Sequence, residues 1–238
     1  MFVQNCFLRA AALGRLVLLA GVALVLLARP GLAQFWGTPN TYNVTVNEFS
    51  LCADASCASK TTVISSSSVF NLAGAAPGAP AGDYVPAGTS IPNGTYSYFL
   101  ISIGRAVGVV GRISNIADGF DCITMTTSGD VSVAGDRQSN DFGFLGTTTF
   151  TMPVLNGNLD EGVTASTAGG NITLIVPLAP PITVNDGDTM PAFGINFNID
   201  TALGGVSVFG GCNMILGVPT IVIDVGGSTI VSFTLGVS

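Results

Sequence analysis

The sequence predicts an all-β fold, an antiparallel β-sandwich of Ig-like or jelly-roll-like type with about ten strands and long loops. Hydrophobic residues make up 48% of the chain and charged residues only 9%, the reverse of a disordered composition. Val, Ile, Thr and Phe, which fit a pleated half-buried surface, recur in short alternating runs. Clusters of Gly, Pro, Asn and Ser separate these runs at the close spacing of strand–turn–strand proteins.

The first 33 residues read as a secretory signal rather than as part of the fold. Arg9 and Arg15 give the positive start, and Leu16–Ala28 is an uninterrupted apolar run. Small residues before Gln34 place the cut after Ala33. A retained span needs roughly 20 apolar residues, more than this run supplies. The expectation is therefore an exported chain, secreted or held at the cell surface, with no membrane span after cleavage. The mature part, Gln34–Ser238, is read as a single domain, with a division near 156–170 as the alternative.

From Tyr42 the chain alternates through Phe49 into Leu51-Cys52, and Ala53–Ser56 turns it. Thr61–Leu72 is a second strand region interrupted by Ser65–Ser68, and Ala73–Asn93, rich in Gly, Ala and Pro, is a long loop. The Pro92-Asn93-Gly94-Thr95 turn launches Tyr96–Ile103. This run is apolar on both faces and belongs in the middle of a sheet with both sides covered. Ala106–Ile113 and Phe120–Thr127 follow as strands, Gly129–Gly146 as an exposed loop or a ragged hairpin and Thr147–Met152 as a short strand. Asn156–Gly170 reads as a loop and Ile172–Leu178 as a strand. In the last third, Phe193, Ile195, Phe197 and Ile199 alternate. Thr220–Val225 and Ser228–Leu235 flank Gly226-Gly227, a tight-hairpin signal because primed turns need positive φ. No helix is expected after residue 33.

Past the signal, Cys52, Cys57, Cys122 and Cys212 form an even set. Four cysteines allow three pairings. The favoured one joins Cys52 to Cys57 locally and Cys122 to Cys212 across a loop of about 90 residues, worth about 4 kcal/mol in the chain-entropy model. Zinc is the competing reading, and it is disfavoured because the chain has no histidine and the spacing is wrong.

The missing histidine also removes Ser-His-Asp and Cys-His chemistry. Lys60, the only lysine, sits beside a disulfide turn and is read as a solvated side chain. Ile199-Asp200-Thr201-Ala202 resembles an aspartic-protease turn, but Ala202 stands where that motif has glycine. No catalytic residues are assigned, and the chain is read as a non-enzyme without a required cofactor. Calcium is the best of the weak site signals: Asp186 and Asp188 lie on one Asn/Gly turn, Asp160 and Glu161 on another. Ordinary Asx turns are the bland alternative. Asn43, Asn93 and Asn171 head N-glycosylation acceptor triplets.

The mature part keeps four basic residues against all 14 acids, a net charge of −10. Such a surface repels phosphate backbones, so nucleic acid is not an expected partner. The leading functional expectation is a structural or adhesive surface protein, a self-assembling filament or surface-layer subunit whose partners are its own copies or matrix components. Phe35 and Trp36 at the mature start, and Val231, Phe233 and Leu235 on the last strand, are the candidate linking residues. The alternative is a secreted carbohydrate- or ligand-binding β-sandwich module, with or without calcium.

Overall fold

In the computed structural model, residues 34–234 are described apart from 75–84, 86–88, 118, 140–142, 144–145, 189–192, 209–210, 218 and 226–227. Residues 1–33, read above as a secretory signal, lie outside the described residues. In chain order the strands are β1 (Gln34–Gly37), β2 (Thr41–Cys52), β3 (Lys60–Ile64), β4 (Ser68–Asn71), β5 (Gly94–Gly104), β6 (Ala106–Val110) and β7 (Arg112–Ala117). There follow β8 (Phe120–Ile123), β9 (Ser128–Gly129), β10 (Ser132–Ser139), β11 (Thr148–Thr151), β12 (Gly157–Asn158), β13 (Thr164–Ala168) and β14 (Asn171–Val184). The last are β15 (Phe193–Asn198), β16 (Leu203–Val208), β17 (Gly211–Leu216), β18 (Thr220–Val225) and β19 (Ser228–Thr234). Short 3-10 turns at Leu72–Gly74 and Asp160–Gly162 are the helical elements among the described residues.

These 19 strands form three sheets, which corrects the expected Ig-like or jelly-roll-like antiparallel sandwich of about ten strands. One sheet, ordered β1-β16-β17-β10-β8-β7, curls into a nearly closed barrel, with β7 lying against β1. The second has ten strands, ordered β12-β13-β14-β5-β2-β6-β11-β9, with β3 and β4 also on β2. It is mixed rather than antiparallel, because β9 runs parallel to β11. The third is β15-β18-β19.

The miscount has physical causes. β2 is long, and register shifts along it let successive stretches pair with β3, β4, β5 and β6. Gly129–Gly146, read as a loop or ragged hairpin, contains β10, which pairs not within the segment but with β17 and β8. Asn156–Gly170, also read as a loop, contributes β12 and β13 to the edge of the large sheet. β14 runs on past Leu178 because a register shift between Pro177 and Ile182 absorbs Pro180 and Pro181, which have no N–H to donate.

β5 lies between β14 and β2. Phe99, Ile101 and Ile103 point into the main core. On the opposite face Leu100 is buried too, packed with Cys52, Cys57, Tyr98 and Ile175. The third sheet is tied to the large one by aromatic rings: Phe193 on β15 meets Phe49 on β2 edge-on at 4.9 Å and Phe99 on β5 at 6.1 Å.

Two buried tyrosines differ in their hydroxyls. Tyr96 donates to the Pro92 carbonyl at 2.9 Å and so locks the turn that starts β5. Tyr42 on β2 is fully buried, and its hydroxyl has no hydrogen-bond partner among the described residues. Burial alone pushes its ionisation well above the ordinary tyrosine value. Tyr96→Phe is therefore expected to cost about 1 kcal/mol in urea denaturation. Tyr42→Phe, which deletes an unsatisfied buried group, is expected to leave stability unchanged or raise it by up to ~1 kcal/mol.

Candidate functional site

The four cysteines after residue 33 are joined as Cys52–Cys57 and Cys122–Cys212. The long-range bridge has a geometric reason. β10 pairs with β17 through Ser132–Gly135 and with β8 through Asp136–Ser139. The bridge ties β8 to β17 where β10 passes from one to the other. Gly135 sits at that crossing, and a Cβ there would lie 2.7 Å from Met214 Cγ, 2.9 Å from Cys122 Sγ and 3.0 Å from Cys212 Sγ. Met214 Sδ itself is 2.9 Å from Cys122 Sγ, a close sulfur contact, since a disulfide sulfur has no proton to donate.

In the Asn185–Asp188 turn both carboxylates accept hydrogen bonds. Asp188 Oδ2 accepts from the Asn185 backbone N–H at 2.8 Å and side-chain amide at 3.0 Å. Asp186 Oδ1 accepts from the Asn93 amide. Asp160 and Glu161 form the second 3-10 turn, with Glu161 at φ 59°. Among the described residues no three His, Cys, Asp or Glu side chains converge as metal ligands would. The sequon asparagines are likewise engaged: Asn93 with Asp186, Asn171 as acceptor for the Asn47 amide at 3.1 Å, and Asn43 in the ladder of β2. Asp200 belongs to a turn in which its N–H is held by Asn198 at 3.0 Å and its carbonyl by Thr38 at 3.2 Å.

Arg112 lies 3.4 Å from the buried Asp121 carboxylate, and the Arg137 guanidinium stacks 4.4 Å above the Phe120 ring. Lys60 meets Glu48, which also accepts from the Ser50 hydroxyl at 2.6 Å. Burial pushes the Glu48 carboxyl up, but the hydrogen bonds from Lys60 and Ser50 and the Lys60 charge outweigh it and hold the group below its ordinary value.

The terminal aromatics part company. Phe35 packs toward the core, whereas Trp36 is 44% exposed. Its ring rests on Gly204, where a Cβ would lie 2.7 Å from Cζ3, 2.8 Å from Cε3 and 3.2 Å from Cη2. Only glycine leaves room for it there. On β19 the register sets Val231 opposite the buried Ile223 and Phe233 opposite the buried Ile221. Leu235 lies outside the described residues. Sequence reasoning missed Gly135 and Gly204, because what makes them matter is a partner far along the chain.

Gly135→Ala is expected to destabilise by about 2–3 kcal/mol in thermal melts, through overpacking against the disulfide. Glu48 is lowered in the folded state, so its stabilisation is present above the ordinary Glu value and is lost as pH falls through the folded one. Glu48→Gln is expected to flatten the acid limb of the melting curve against pH by less than ~1 kcal/mol, because the pair is near the surface. No protein-family model, curated protein or solved structure matches the chain.

Proposed function

We propose that this chain is an exported, non-catalytic structural or adhesive protein of the cell surface or extracellular matrix, whose copies associate through an open sheet edge. The observation that carries this reading is the contrast between the three sheets. The path of the large sheet ends in β12 and β9, two residues each, and its side strands β3 and β4, paired with β2 alone, have five and four residues; short edge strands resist pairing with other chains. The barrel turns its edges β1 and β7 toward each other. The third sheet has longer edges, and of these β19 lies against the Asp160–Gly162 turn whereas β15 is the more open. Among the described residues β15 and β19 each have one ladder partner, β18, and neither strand contains a charge or a proline. Long uncharged edges are what monomeric proteins avoid and what strand addition uses.

Export is supported by the layout of Met1–Ala33 and by disulfide bonding, which persists in oxidising compartments. No helix among the described residues is long and apolar enough to cross a membrane. The acidic balance disfavours nucleic acid as a partner.

Electron microscopy of the purified protein, beside size-exclusion chromatography with and without calcium, is the test. Filaments, sheets or large oligomers are expected, and Ser232→Lys on β19 and Gly194→Lys on β15 are expected to suppress them. Ser232 is exposed, and Gly194 has room, with Asp224 the nearest neighbour of an added Cβ at 3.6 Å, so each change should alter stability by no more than ~0.5 kcal/mol. A monomer at high concentration in both conditions overturns the reading.

A further inference from the structure

We propose that the outer face of the six-stranded barrel sheet around Trp36 is a stacking site for a neutral sugar chain. The proposal stands apart from edge-to-edge association, because it uses a different sheet and a face rather than an edge.

Trp36 is the only tryptophan of the chain. One side of its ring is supported by the bare backbone of Gly204, and nearly half of the residue remains open to solvent. Directly paired residues share a face of a sheet. Across from Gly204 lies Ile215 on β17, and across from Ile215 lies Ser132 on β10. One step along the same face come Val206, Asn213 and Ala134. Ser132 and Ala134 are exposed, while Val206, Asn213 and Ile215 are half-buried. The ring thus stands beside small and aliphatic side chains among which Asn213 carries an amide and Ser132 a hydroxyl, in the row that Gln34 shares across from Val206, with Asp136 the next residue of that face along β10.

That combination matches a pyranose ring, which has an apolar C–H face to lay on an aromatic and a rim of hydroxyls that pair with amides and hydroxyls. Ligand sites of this kind are mostly apolar with a few placed polar groups. The net negative charge of the protein selects for a neutral sugar over uronic or sulfated ones. Size separates a sugar from a second protein copy. A buried tryptophan contributes at most about 250 Å², whereas a stable protein interface needs roughly 800 Å² per partner. One aromatic among small neighbours suits one or two sugar rings. Equatorially substituted β-linked chains of glucose or N-acetylglucosamine present the flattest C–H faces and are the expected class.

Because Trp36 is the sole tryptophan, its fluorescence reports this site alone. The purified full chain is titrated with cellohexaose, chitohexaose and, as the anionic comparison, polygalacturonate. A saturable shift or quench at millimolar or lower concentration is expected with at least one neutral oligosaccharide and not with polygalacturonate. Gly204→Val, which displaces the ring, is expected to abolish the response. Asn213→Ala, which removes the amide without touching the core, is expected to weaken it about tenfold with an unchanged melting temperature. Calorimetry on Trp36→Ala is expected to show no binding. No saturable response to either neutral oligosaccharide, a response to polygalacturonate alone, or unweakened binding in Asn213→Ala together with Trp36→Ala overturns the proposal. Assembly by chromatography is read separately, so failure here leaves the edge-to-edge reading standing or falling on its own data.

Discussion

A strand that is apolar on both faces, as β5 is from Phe99 to Ile103, needs a layer on each side, and its two covers differ in kind. Toward the core, Phe99 is met by the rings of Phe49 and Phe193, so the small third sheet is recruited as a lid on the large one. Toward the outside, Leu100 is met by the Cys52–Cys57 loop with Tyr98 and Ile175. A six-residue disulfide turn thus does what a second sheet would otherwise do. With β14 on one side and β2 on the other, both ladder edges of β5 are also used. Burial on this scale is where the hydrophobic stabilisation concentrates.

How much of this was legible depends on whether the signal is local. The alternation in Phe193–Asn198 and the twin runs around Gly226-Gly227 are local, and the structure pairs them as strands. The two-sided run at Tyr96–Ile103 is local too, and it occupies the centre of its sheet. Ser132–Ser139 carries no apolar rhythm, with Asp136, Arg137 and Gln138 in succession. It becomes β10 because β17 and β8 each satisfy half of its backbone. Thr164–Ala168 is a run of small residues that an edge position accepts. Sheet membership is the least local property of all, since nothing in Gln34–Gly37 announces β16 as its neighbour.

The same distinction governs the candidate sites. An even set of cysteines is visible by counting. Clustered acids are also visible, yet Asp186 and Asp188 spend their oxygens on Asn93 and Asn185. Glycines look alike in a sequence, and those at 135 and 204 stand out only when the sulfurs and the indole that fill their missing side-chain space are in view. A short polar side chain in a turn is more often a structural acceptor than a ligand, and Asp188, accepting from the Asn185 N–H, follows that rule.

The barrel has a consequence for the order in which the chain acquires its structure. Its first strand, β1, waits for Leu203–Val206, so Phe35 has no ladder partner until Gly205 has been made. Its bridge likewise waits for Cys212. β2, β3 and β4, by contrast, find one another within a few dozen residues. Non-local pairing slows folding, because loop-closure entropy is lost before contacts reward it. The large sheet is thus the early, self-nucleating part of the molecule, and the barrel is a late closure that brings the beginning of the chain to its end.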